Sequence, residues 1–171
     1  MELIDIYDVD GAPTGKKVPI DTSKETLELG EYIGVSQVFI QNKRGEFLIE
    51  RSAKKTGYQY LPVGGHIMAS EDPIKAVIRE TREEIGLDLD ESELYSLKNF
   101  TNDSIIRFVY YMRKNLDLSE LQLQQREVSS VYYMSVDHIM YMSANGLMDP
   151  AYMNIMPEML RRIEQVNKKY K

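Results

Sequence analysis

Short runs in which apolar and polar positions alternate fill most of the chain, and one segment departs from them with a clear helical period. Residues 2 to 10 mix Leu3, Ile4, Ile6, Tyr7 and Val9 with Glu2, Asp5, Asp8 and Asp10, which predicts a short edge strand. The turn cluster Asp10-Gly11-Ala12-Pro13-Thr14-Gly15 closes it. Residues 16 to 31 are polar and weakly patterned, with room for a short helix near Ser23 to Leu29. Val35, Val38, Phe39 and Ile40 mark a strand, Asn42-Lys43-Arg44-Gly45 a turn, and Phe47-Leu48-Ile49 a second strand, together a predicted hairpin. A basic loop over 52–59 leads to the extended piece Tyr60-Leu61-Pro62-Val63 and then to Gly64-Gly65. Ile105 to Met112 and Val128 to Met134 read as strands, and Val136 to Ala144 as a helix. Pro150 breaks the chain before a C-terminal helix within Ala151 to Lys171, whose Pro157 falls in the first turn or interrupts it.

The strongest helix signal covers 72 to 86. Asp72 is a good N-cap, Pro73 stands at the first helical position, where its missing N–H costs nothing, and Gly86 stands where a C-terminal glycine belongs. At about 100° per residue, Ile74, Val77, Ile78, Thr81 and Ile85 share one arc, the core-facing stripe. Glu80, Glu83 and Glu84 share the adjoining arc as i,i+3 and i,i+4 neighbours. Like charges so crowded weaken a helix unless something positive faces them. Arg79, at the border of the cluster, and a divalent cation are the two candidates. Ala76 is small and lies on the same face, which would leave room for a loop or a metal.

Composition narrows the chemistry. The 171 residues suit one α+β domain over 1–171, with no linker or low-complexity segment dividing them. The formal net charge of −6 argues against a nucleic-acid partner. With no cysteine, disulfides, iron–sulfur clusters, thiolate zinc and cysteine nucleophiles are excluded. With only His66 and His138, a metal would be a hard cation on carboxylate oxygens. No apolar run reaches the roughly 18 residues of a membrane span, and Met1 to Asp5 lacks a basic n-region. No membrane partner and a cytoplasmic setting are therefore expected.

The order of residues from Gly65 to Leu87 resembles the Nudix box, Gx5Ex7REUxEExGU, where U is a bulky aliphatic residue. Gly65 is followed after five residues by Glu71, and seven more lead to Arg79-Glu80, then Thr81-Arg82-Glu83-Glu84-Ile85-Gly86-Leu87. Thr81 is the single departure, and it keeps the β-branch and one methyl. Met68 and Ser70 stand where many members have Glu and Gly. The resemblance implies an α/β/α sandwich around a mixed sheet, with the box as loop–helix–loop. It implies Glu83 and Glu84 as the main ligands of Mg²⁺ (or Mn²⁺ in its place), Glu80 as a further ligand, and the Gly65 carbonyl completing the shell. Arg79 would orient a box glutamate with Glu71 as its partner, and Gly86 would shape the box. The reaction implied is hydrolysis of a small-molecule diphosphate, a nucleoside diphosphate linked to a moiety X.

Outside the box the likeness is looser. Asp5-Ile6-Tyr7-Asp8, Pro13-Thr14-Gly15, Phe47 to Ser52 and Gly64-Gly65-His66 are similar to the branch related to isopentenyl-diphosphate isomerase. Those isomerases rely on a cysteine and several histidines, so isomerase chemistry by that route is excluded here, while hydrolysis needs neither. Glu127, before the strand Val128 to Met134, is a candidate additional ligand or base, weighed equally against an exposed loop carboxylate. Arg51, His66 and Lys55 are candidate phosphate contacts, each with a plainer reading as solvated or backbone-satisfied residues. The tyrosines include candidate base-stacking platforms. The alternative function is a non-catalytic Nudix-fold module that binds a nucleotide or nucleotide sugar, and a further one is an interaction protein with a charged helix. A homodimer is compatible with the family.

Overall fold

A computed structural model describes residues 1–169. The strands are β1 (Leu3–Tyr7), β2 (Pro13–Pro19), β3 (Tyr32–Gln41), β4 (Phe47–Ser52), β5 (Tyr60–His66), β6 (Tyr95–Asn102), β7 (Ile105–Arg113) and β8 (Val128–Met134). The helices are α1 (Pro73–Ile85), α2 (Val136–Ala144) and α3 (Tyr152–Lys169). The described residues form an eight-stranded mixed sheet, in which β2-β1-β3-β5-β4-β8 lie in order and β7, parallel to β3, carries β6.

Period-two alternation along the strands feeds two cores. Val38, Ile40, Leu48 and Val63 pack with Val77 and Ile85 of α1, whereas Phe39, Phe47, Ile49, Val109 and Tyr111 pack with α2 and α3. The result is the layered α/β/α arrangement expected of the α+β class. Pro157 lies inside α3, one turn from its start. No helix among the described residues is long and apolar enough to cross a membrane.

Several elements differ from expectation. The turn at 42–45 forms, with Asn42 N–H donating to the Glu46 carbonyl at 2.9 Å, but β3 and β4 do not zip into a hairpin. Their pairing is Gln41 with Phe47, and β5 lies between them, antiparallel to both. The predicted helix at 23–29 shrinks to a single 3₁₀ turn, Lys24–Thr26. β2 was hidden because an edge strand can be built from polar residues: it is largely exposed and holds by backbone pairing to β1; β6, the other unpredicted strand, packs Tyr95, Leu97 and Phe100 on the α2/α3 core. Ala76 is fully buried in the α1 core, so it leaves no opening on the carboxylate face.

The β1–β2 pair braces the loop before α1. Ala69 N–H donates to the Leu3 carbonyl at 2.9 Å. The buried Asp5 accepts from Ser70 N–H at 2.7 Å and pairs with Lys17 Nζ at 2.6 Å. Burial alone would raise the Asp5 carboxyl, but Lys17 and the Ser70 amide outweigh it and hold it below the usual range. Ser70 has φ of 65°, a left-handed conformation that favours glycine.

Candidate active site

Helix α1 presents its charged arc along the open side of the sheet's α1 face. Pro73 occupies the first turn, and Gly86 ends the helix in the left-handed region (φ 69°), its N–H donating to the Arg82 carbonyl at 3.0 Å. Asp72 has cap backbone geometry, but its side chain makes no cap hydrogen bond; its carbonyl accepts from Ala76 N–H at 2.9 Å. The hydroxyl of Ser36, buried in β3, donates to the Pro73 carbonyl at 2.6 Å and anchors the helix start to the sheet. Thr81 is fully buried, and its hydroxyl donates back to the Val77 carbonyl at 2.7 Å, so the departure from a bulky aliphatic residue leaves no orphan group.

Arg79 organises one group of glutamates. Its Nε and Nη2 donate to the two oxygens of Glu71 at 2.8 and 3.0 Å, a bidentate pair. Its Nη1 donates to Glu80 at 3.0 Å and to Glu83 at 3.2 Å, and Nη2 also reaches the His66 carbonyl at 3.0 Å. Glu71 accepts from Met68 N–H at 3.0 Å. Burial would raise the Glu71 carboxyl, but Arg79 and the Met68 amide together hold it below its ordinary value. The guanidinium is held firmly charged, chiefly by Glu71.

A second group has no such cation. Glu50, on β4, hydrogen-bonds Glu84 on α1, and Glu80 and Glu127 add their negative fields. Among the described residues no basic side chain pairs with either Glu50 or Glu84. Burial raises both carboxyls above the ordinary range; for Glu84 the contact with Glu50 adds to it, whereas for Glu50 the contact with Glu84 works against it and the fields of Glu80 and Glu127 add to it. Glu50 lay outside the residues singled out from the sequence. The signal was there: Leu48 faces the α1 core, so period two puts Glu50 on the same face, a charged residue at a core position.

Gly65, at the end of β5, lies under Glu80. A Cβ there would stand 2.6 Å from the Glu80 carboxyl carbon, so only glycine lets this carboxylate settle against the strand. The loop at 122–127 is tied to the end of α1, Gln124 N–H donating to the Glu84 carbonyl at 2.8 Å, and to the end of β4, Ala53 N–H donating to the Glu127 carbonyl at 2.9 Å. It brings Glu127 beside the pair, exposed and bridged to Lys54 at 2.8 Å. Arg51, Lys55 and His66 are exposed; His66 lies within the field of Glu80, while Arg51, next to Glu50 along β4, has the parity of Phe47 and Ile49 and so belongs to the opposite face of the strand. His138 is at the far side, in the first turn of α2, its N–H donating to Ser135 Oγ at 3.1 Å.

As the side chains stand, no three His, Asp or Glu residues among those described are arranged to hold a metal ion. Glu80 and Glu83 are engaged by Arg79, and Glu84 by Glu50. The donor set nevertheless fits a hard divalent cation: it consists of oxygens, Glu50 Oε1 is buried without a hydrogen-bond partner, and Gly65 leaves space at Glu80.

With that geometry in place, comparison with known proteins is informative. The chain is 28% identical over 132 residues to a protein of Listeria innocua named an uncharacterized Nudix hydrolase, covering 75% of this chain and 78% of that one. Its fold is similar to that of DR0079 from Deinococcus radiodurans (TM-score 0.67, 21% identity, 85% and 90% of the two chains). It is also similar to the NUDIX domain of Shewanella oneidensis NrtR, solved with ADP ribose (TM-score 0.58, 14% identity, 88% and 95%). The model of the NUDIX domain matches residues 32–158, the greater part of the sheet together with α1 and its carboxylates, and the chain therefore belongs to the NUDIX family, that of its Nudix hydrolase relatives.

Proposed function

We propose that the chain hydrolyses the pyrophosphate bond of a nucleoside diphosphate linked to a second moiety, with Mg²⁺ or Mn²⁺ held by Glu80, Glu83, Glu84 and the Gly65 carbonyl. The observation that carries the reading is that Glu84, which among the described residues has no protein cation, lies against Glu50, whose buried Oε1 has no hydrogen-bond partner there. When bound, such an ion neutralises diphosphate charge, acidifies a water and stabilises the leaving group.

The chain's own residues supply the rest. Glu71 fixes Arg79 bidentately, and Arg79 in turn sets the rotamers of Glu80 and Glu83 along the helix. Glu127 stands beside the pair with its carboxylate open to solvent, where it can accept a proton from an attacking water. His66, exposed and within the field of Glu80, would meet the substrate's phosphates, and Lys55 and Arg51, exposed on or beside the loop after β4, are further candidates for that contact or for the X group. Within the family, the Glu50-Arg51-Ser52 and Gly64-Gly65-His66 runs and the N-terminal strand support placement in the branch related to isopentenyl-diphosphate isomerase. The chain has no cysteine and only two histidines, which favours hydrolysis over isomerisation within that branch.

The test is product release from a panel of nucleoside diphosphate sugars, dinucleotides, ADP-ribose and oxidised nucleotides, with Mg²⁺ and with EDTA. Metal-dependent cleavage of at least one class, abolished by EDTA, is expected. Tight binding of a panel member without cleavage would contradict the reading and favour a sensor module.

A further inference from the structure

Glu50 is 4% exposed and sits in β4 opposite Leu61 and Val131, a sheet position suited to an apolar side chain. A carboxylate there gives up its hydration, and among the described residues no arginine, lysine or histidine compensates it. Its carboxyl meets that of Glu84, and among the described residues its Oε1 has no hydrogen-bond partner. Glu80 and Glu127 face the same spot from α1 and from the loop before β8. Negative charge from a helix and a loop thus adds to that of the strand around one buried oxygen with no hydrogen-bond partner. A structural role explains this poorly, because an apolar residue would pack there without the desolvation cost. A small hard cation explains it directly, since it needs several oxygen donors in a confined space.

We propose that Glu50 supplies a carboxylate ligand from β4 to the divalent cation of the α1 glutamates, so that the ligand set spans sheet and helix. The inference rests on the divalent-cation reading of that helix. In it, the ion meets the partnerless Oε1 of Glu50, and β4 fixes one side of the ligand set on a rigid element while α1 supplies the other.

The test is Mn²⁺ binding to the full chain, followed by electron paramagnetic resonance for affinity and by water-proton relaxation for the number of waters on bound Mn²⁺. Glu50→Gln is compared with wild type and with Glu91→Gln, a surface control whose carboxylate pairs with Lys75 at 3.0 Å. Expected is an affinity at least about tenfold weaker for Glu50→Gln, one additional water on its bound Mn²⁺, no change for Glu91→Gln, and a metal-free melting temperature no lower than wild type. Affinity within twofold of wild type, or weaker binding with no added water, overturns the inference while leaving the α1 site intact. Absence of Mn²⁺ binding by wild type overturns the divalent-cation reading itself.

Discussion

Two sets of glutamates gather at α1, one with Glu71 from the loop before it and one with Glu50 from β4, and the chain treats them differently. Glu71, Glu80 and Glu83 converge on Arg79, which meets each through hydrogen bonds of 2.8–3.2 Å. Glu84 turns inward to Glu50, where no protein cation waits. The first set is neutralised and ordered by the fold itself. The second is left with excess negative charge in a poorly hydrated place. A protein that needed α1 only as scaffold would gain by replacing the second set with apolar residues. On the proposed metal reading, Arg79 holds Glu80 and Glu83 in position along the helix, and Glu84 is the ligand that the protein leaves without a cation of its own.

The contrast breaks most sharply at Glu84. Glu84→Gln should reduce kcat by about 10³-fold, several kcal/mol of lost charge stabilisation, with an unchanged circular dichroism spectrum; activity within threefold of wild type would remove the pair from the mechanism. Glu127→Gln should lower kcat by about 10²-fold, the lower range for a general base, and leave the melting temperature where it was, because its Lys54 bridge is solvent-exposed. Arg79→Ala acts on the other set. It strips Glu71 and Glu80 of their partner, and stability should fall by about 2 kcal/mol, less than for a fully buried pair. In calorimetry this corresponds to about 6 °C. Arg79→Lys should recover little, since lysine has no bidentate fork. The smallest effect is expected at Lys55: Lys55→Ala should raise KM a few-fold and change stability by less than about 0.5 kcal/mol.

How much of this could be read from the residues differs from element to element. Helix α1 was legible to within a residue, because Pro73 and Gly86 act through backbone geometry that needs no tertiary context. The charged arc was legible as well, since i,i+3 and i,i+4 spacing fixes a face. Strand order was not: the turn at 42–45 signals a hairpin, and only the three-dimensional sheet shows β5 inserted between β3 and β4. β2 escaped because an edge strand needs no alternation, whereas in β6 the alternation of Tyr95 and Leu97 with Ser96 and Lys98 is short and is interrupted by a bulge before Phe100. Glu50 escaped for a different reason. In Phe47-Leu48-Ile49-Glu50 it reads as the polar end of a strand, and its meaning depends on Glu84, thirty-four residues on, packing over the same face. Reading period two forward from Leu48 would have flagged it as a charge aimed at the core.

The central claim, that the inward pair is held ready for a cation, is tested most directly by thermal unfolding between pH 5 and 8 with and without Mn²⁺. Both carboxyls are raised above their ordinary value of 4.5 in the folded chain. The folded state therefore holds protons that the unfolded state has released, and the stability they confer, complete below 4.5, is lost as pH rises above it. The account predicts that the metal-free protein melts at progressively lower temperature from pH 5 to pH 8 and that Mn²⁺ restores the loss most at pH 8. Glu84→Gln should flatten both trends. A melting temperature independent of pH and of Mn²⁺ in wild type would contradict it.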